Sequence, residues 1–181
     1  VGNTATHHAY YIGAAPSIHV DPGSASLSLS TWYHTAATWD GATLTTYVNG
    51  ALDGTASGSG SLGGNAGHST AIGWDEATPG RNFNGSIGEC CIWSVALSAS
   101  EVLALAKGAR PFNVRPLSIL GGWSLDGLAS PEPDFSGNKN NGTLTGTALA
   151  FGPPLMQFTP RWPQFAPFDV FVFNLMPQII W

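Results

Sequence analysis

Charge is scarce in this chain: 9% of its 181 residues are charged, six of them Lys or Arg and eleven Asp or Glu, for a net charge of -5. Six scattered cations make no basic stripe, so nucleic acid and anionic membrane surfaces are excluded as partners. Cysteine is limited to Cys90 and Cys91. Neighbours in a strand point to opposite faces, so this pair is badly placed to bond to itself, and it makes neither a disulfide framework nor a metal knuckle. Long hydrophobic runs are missing too. The longest apolar stretch, residues 168 to 181, is interrupted by Asp169, Asn174, Pro177 and Gln178 and falls short of the roughly 20 residues that a membrane-spanning helix needs. No signal peptide is visible and the chain begins at Val1, so a leader or longer upstream region is expected to be missing from it.

What the chain does have is 43% hydrophobic residues, 23 Gly and 13 Pro. That supplies a sizeable core and many positions that turn sharply or refuse a helix, which is the composition of short strands joined by loops in a sandwich or barrel. Residues 8–12, 17–20 and 25–29 read as strands, the last because Leu27 and Leu29 alternate with serines. Residues 31–39 lead into Asp40-Gly41, and Leu44, Thr46 and Val48 lead into Asn49-Gly50. Both dipeptides are hairpin signals, since Asn, Asp and Gly tolerate the positive φ of such turns. Residues 57–67 are mostly Gly, Ser, Asn and Ala and read as a loop anchored by Leu62. Two more strands are expected at 70–74 and 86–95. Ser98-Ala99-Ser100-Glu101 then forms a capping box opening a short helix, about residues 99–107, that ends at Gly108. Further strands are expected near 118–125 and 142–151.

The run Trp32-Tyr33-His34-Thr35-Ala36-Ala37-Thr38-Trp39-Asp40-Gly41, with Tyr47-Val48-Asn49-Gly50 after it, resembles the central hairpin of laminin-G-like domains of bacterial and phage proteins. Ile72-Gly73, Phe83-Asn84-Gly85-Ser86-Ile87 and Ile92-Trp93-Ser94-Val95-Ala96-Leu97-Ser98 are similar to later strands and the closing helix of that domain. The resemblance covers about residues 8–108 and implies an all-β fold: an antiparallel jelly-roll sandwich of the laminin-G-like, concanavalin-A-like kind, with one short helix. One feature is out of order. Gly121-Gly122-Trp123-Ser124-Leu125-Asp126-Gly127, Asp134-Phe135-Ser136-Gly137-Asn138 and Asn141-Gly142-Thr143-Leu144-Thr145-Gly146 resemble the opening strands of the same family, yet follow the closing motif. We therefore divide the chain into residues 1–111, a sandwich expected to lack its N-terminal half; 112–152, strands resembling an opening motif; and 153–181, an extended Pro- and aromatic-rich arm. A permuted sandwich completed by 118–151, or strands exchanged between chains, would give the same order.

Enzymes of similar sandwiches carry acids as Glu-x-Asp-x-x-Glu on one strand, so that two carboxylates flank a glycosidic bond. The nearest approach here is Glu132-Pro133-Asp134, with Gly137 at the third acidic position and Pro133 arguing for a loop. No Gly-x-Ser-x-Gly elbow occurs, and His7, His8, His19, His34 and His68 form no metal-ligating or triad pattern. The expectation is a protein that is not an enzyme. Related sandwiches often carry calcium, for which Asp75 and Glu76, or Asp126 and Asp134, are the candidate ligands, although turn-forming acids explain them as well. Trp32, Trp39, Trp93 and Trp123 fall in expected strands and read as core. Trp74, at a strand end beside Asp75 and Glu76, is the tryptophan placed to stack on a sugar.

The last segment sets prolines at 153, 154, 160, 163, 167 and 177 among Phe158, Trp162, Phe165, Phe168, Phe171, Phe173 and Trp181. It is too aromatic for a solvated tail and too rich in Pro to fold alone, so these aromatics are expected to form an interface with a neighbouring subunit. The expected function is a structural or decorating protein of a large assembly, by resemblance a phage particle, located at a virion surface or extracellularly. Its partners would be neighbouring subunits in an oligomer or particle. The alternative is a carbohydrate-binding or adhesion module with glycans as partners.

Overall fold

The structure, a computed structural model, describes residues 10–12, 18–20, 23–59, 70–73, 83–125 and 130–148. The described residues form mostly antiparallel β-structure with one α-helix, consistent with the concanavalin A-like sandwich expected from the sequence.

Strands β1 (Tyr10–Ile12) and β2 (Ile18–Val20) pair antiparallel. Strands β3 (Thr35–Trp39), β4 (Thr43–Val48) and β5 (Ala51–Ser57) form a meander in sequence order. Both of its turns lie where Asp-Gly and Asn-Gly mark them. Asp40 Oδ1 accepts from the amides of Ala42 and Thr43 at 2.8 and 2.7 Å. Asn49 and Gly50 both take positive φ, 51° and 78°, as a two-residue turn between twisted strands requires. The register shifts between Thr46 and Tyr47, and the displaced residue, Asp53, is buried. Its carboxylate accepts from the Ala25 amide and from the Ser24 and Thr46 hydroxyls, tying residues 24–25 to the sheet.

That tie explains one departure from the sequence reading. Residues 25–29 form no strand; Leu29 is 76% exposed, and the Ser28 amide donates to the Tyr33 hydroxyl. The alternation holds only as far as Leu27, which is half-buried between exposed Ser26 and Ser28, and side-chain bonds to Asp53 and Tyr33 hold this stretch without strand pairing.

Strand β6 (Cys90–Trp93) pairs antiparallel with β7 (Ile119–Trp123). Both are shorter than expected: residues 86–89 and 94–95 lie outside β6, 70–73 form no strand, and beyond the Glu132–Gly142 bridge residues 143–148 form none. The pairing joins the strand resembling a closing motif to one resembling an opening motif within a single chain. Helix α1 (Ala99–Ala106) begins at the expected capping box, with Glu101 N–H donating to Ser98 Oγ and Ser98 N–H to Glu101 Oε2. Glu101 Oε1 also accepts from Arg115 Nε at 2.6 Å, which moors the helix start to the chain ahead of β7.

Three apolar clusters hold these pieces. The largest joins Ala36 and Tyr47 of the meander to Cys91 and Trp93 of β6, to Leu97, Val102 and Leu105 at the helix, and to Val114 and Ile119. On the other face of the meander, Ala37, Trp39 and Leu44 meet Ile18 and Val20 of β2. Cys90, Ile92 and Trp123 form the third, with Ile72 and Leu125 against it. Trp39, Trp93 and Trp123 are therefore core, and the buried indole of Trp93 donates to the Val114 carbonyl at 2.8 Å, as a buried tryptophan must. Trp32 differs from the expectation: it precedes β3 and is half-buried.

Candidate functional site

Trp74, Asp75 and Glu76, the residues singled out for glycan or calcium binding, lie outside the described residues, as do Leu62, Asp126 and the whole of 149–181 with Phe158, Trp162, Phe165, Phe168, Phe171, Phe173 and Trp181. The frame around residues 74–82 is described. Ile72 packs against the Cys90–Ile92–Trp123 cluster, Gly73 takes a positive φ of 86°, and the Phe83 amide donates to the Gly73 carbonyl at 2.7 Å. The two feet of the segment bearing Trp74 are thus joined to each other, and the first, through Ile72, is seated on the β6–β7 sheet.

The acids that came nearest to a glycosidase pair are committed elsewhere. Glu132 is 2% exposed; its Oε1 accepts from the Leu125 amide at 2.8 Å, and its backbone exchanges bonds of 2.7 and 2.9 Å with Gly142. Asp134 Oδ1 accepts from the amides of Gly122 and Ser136, at 2.9 and 2.8 Å. Its Oδ2 accepts from the Ser136 hydroxyl and the Asn140 amide, at 2.8 and 2.9 Å. An ionised carboxylate offers about four lone-pair sites, and here four donors occupy them. Partial burial works to raise this carboxyl, but the bonds from Ser136, Gly122 and Asn140 outweigh it and hold the group below its ordinary range. Asp134 is therefore a loop organiser, its carboxylate bonded to donors from β7 and from its own loop. Among the described residues no group of three or more His, Cys, Asp or Glu side chains is arranged to hold a metal.

Two other titratable groups stand out that the sequence did not single out. His34 is 2% exposed and neither ring nitrogen has a hydrogen-bond partner; burial alone drives it down to about 4, so it is neutral at physiological pH. Its backbone is held on both sides of its Cα, since His34 N–H donates to Asn49 Oδ1 and Asn49 N–H to the His34 carbonyl. Glu89 Oε2 is buried without a hydrogen-bond partner. Burial raises this carboxyl to about 8 against the opposing pull of Arg110. A signal for Glu89 existed in the sequence, for it shares the strand parity of Cys91 and Trp93 in an apolar run. Nothing local marks His34. Cys90 and Cys91 are free and face different clusters; burial raises both thiols, that of Cys90 to about 12, so neither is a nucleophile.

Against known proteins, a family model described as the concanavalin A-like lectin/glucanases superfamily matches residues 3–103, more than half of the chain. No curated protein and no solved structure matches it significantly.

Proposed function

The chain belongs to the concanavalin A-like lectin/glucanases superfamily, and from that premise we propose that it is a non-enzymatic attachment module that binds carbohydrate. Membership fits a carbohydrate-binding or a structural role. The observation that supports a role without catalysis is the commitment of Glu132 and Asp134 to the chain's own amides and hydroxyl. A general acid or nucleophile needs a carboxylate that reaches the substrate. The glycan reading is favoured by Trp74 beside Asp75 and Glu76, in a segment whose feet at Gly73 and Phe83 are bonded to each other.

A second reading, a structural or decorating subunit at a virion surface or in the extracellular space, is favoured by the composition of residues 153–181. Aromatics set among prolines suit an arm that lies on a neighbouring subunit.

Screening the full chain and Trp74→Ala on a glycan array tests the first reading. Binding that the variant loses supports it. Absence of binding by the wild type, with an oligomer in sedimentation that disappears when residues 153–181 are deleted, moves the function to assembly. Turnover of a β-glucan that stops in Glu132→Gln would overturn the non-enzymatic reading.

A further inference from the structure

The chain contains three Asn-Gly pairs, at 49–50, 84–85 and 141–142. Such a pair can modify itself. The glycine amide nitrogen attacks Cγ of the asparagine, a C–N bond forms as the Cγ–Nδ2 bond breaks, and ammonia leaves with the amide proton. The succinimide ring so formed takes up water and opens to aspartate or isoaspartate. Glycine is the favourable follower because no Cβ crowds the closing ring. Water is the only co-reactant, and the rate is set by how freely Cγ and the next nitrogen reach each other.

The fold treats the three pairs differently. Asn49 Oδ1 accepts from the His34 amide at 2.9 Å and the Asn49 amide donates to the His34 carbonyl at 2.7 Å, which clamps this asparagine to the residue before β3. Gly50 sits against helix α1, where an added Cβ would lie 2.9 Å from Leu103 Cα. At 141–142 both reacting groups are committed. Asn141 Oδ1 accepts from the Asp134 amide at 3.0 Å, and the nucleophile itself, the Gly142 N–H, donates to the Glu132 carbonyl at 2.9 Å. Asn84 and Gly85, by contrast, are both exposed. Among the described residues neither the Asn84 side chain nor the Gly85 amide is hydrogen-bonded. Phe83 explains why a glycine follows: its ring lies over Gly85, where an added Cβ would fall 2.8 Å from Cε1. The packing thus keeps the most reactive follower beside the one asparagine of the three that is left unbonded.

We infer that Asn84 is a self-modification site, which converts to aspartate and isoaspartate in the folded protein while Asn49 and Asn141 are protected. Each hydrogen bond that must break before the ring closes slows the reaction by roughly tenfold, so Asn49 is held back roughly tenfold and Asn141, with two such bonds, roughly a hundredfold. Conversion puts a new negative charge one residue past the Phe83–Gly73 bond, at the foot of the segment that already carries Asp75 and Glu76. The isoaspartyl product also adds a methylene to the main chain there. Nothing in this inference depends on the glycan or the assembly reading.

Ageing the full chain at mildly alkaline pH, once native and once in urea, tests the inference when tryptic peptides are mapped by mass spectrometry with fragmentation to place each site. Cleavage after Arg81, Lys107 and Lys139 puts the three pairs in three different peptides. In the native chain Asn84 should convert about tenfold faster than Asn49 and about a hundredfold faster than Asn141. In urea the three rates should converge, because the bonds that separate them are gone. Asn84→Gln should abolish conversion in the peptide of residues 82–107. Native rates that are alike at the three pairs, a spread that urea leaves in place, or conversion that persists in Asn84→Gln overturns the inference.

Discussion

Substituting Gly50 should cost much more than substituting Gly41, although both are turn glycines at positive φ, 78° and 100°. At Gly41 a new Cβ would meet nothing within 4 Å, so Gly41→Ala bears only the cost of a left-handed alanine, about 1–2 kcal/mol. At Gly50 the same atom would lie 2.8 Å from Leu103 Cδ1, 2.9 Å from Leu103 Cα and 3.0 Å from Ala106 Cβ. The Leu103 methyl can swing aside, but the Cα and the alanine methyl move only with helix α1. Val102 and Leu105 on that helix are fully buried, so displacing it disturbs the largest cluster. Forcing a methyl into such a seam costs about 1–3 kcal/mol. Adding the left-handed term, Gly50→Ala should lose about 2–5 kcal/mol, an appreciable part of the roughly 5–15 kcal/mol by which a domain is stable. Urea denaturation followed by tryptophan fluorescence would show it as a lower midpoint at unchanged slope. Equal losses for Gly41→Ala and Gly50→Ala would refute the reasoning, since they would mean that the helix does not press on this turn.

Trp39→Ala should destabilise by about 3–5 kcal/mol and half-buried Trp32→Ala by clearly less; equal midpoints in denaturation would contradict the burial. His34 titrates near 4 when folded against 6.5 ordinarily, so the stability tied to its neutral ring is complete above pH 6.5 and drains as pH falls through 4, by about 3 kcal/mol. His34→Leu should abolish that acid limb and cost little at pH 7, because it removes two unpartnered nitrogens from the interior; an unchanged acid limb in thermal melts would sink this. Glu89 has the opposite sign: raised to about 8, it supports the fold fully below pH 4.5 and loses that support as pH rises through 8, so Glu89→Gln should flatten the alkaline limb. Glu101, held down to about 2 chiefly by the Arg115 hydrogen bond with Ser98 assisting, contributes stability above about pH 4.5 that is lost as pH falls toward 2. Glu101→Ala should cost about 1 kcal/mol at pH 7 and nothing measurable near pH 2.

The features legible in the sequence are those whose physics is local. The Asn49-Gly50 turn and the Ser98–Glu101 capping box depend on residues within a few positions, and both stand where they were read. Trp39 and Trp93 were legible as core because each sits in a run that can only be buried. Residues 25–29 were misread because their alternation mimics a strand, while what fixes them is Asp53, 28 positions from Ala25. Likewise the roles of Asp134 and His34 are set by what folds over them. The sequence shows Asp134 as an acid in a polar loop; only the fold brings the Gly122 amide to its carboxylate. The out-of-order opening motif left three architectures open, and no local rule pairs residues 90–93 with 119–123.

The adjacent cysteines give this sheet a built-in clock. A thiol-reactive dye cannot reach either sulfur while β6 is covered, and a buried thiol at high pKa does not react. Cys90 faces Ile92, Trp123, Ile72 and Leu125, whereas Cys91 faces the helix-bearing cluster. Labelling at Cys90 therefore times the lifting of one layer and labelling at Cys91 the lifting of the other. Mass spectrometry of the native chain under slow labelling would read which face of the sandwich breathes first, with no engineered probe.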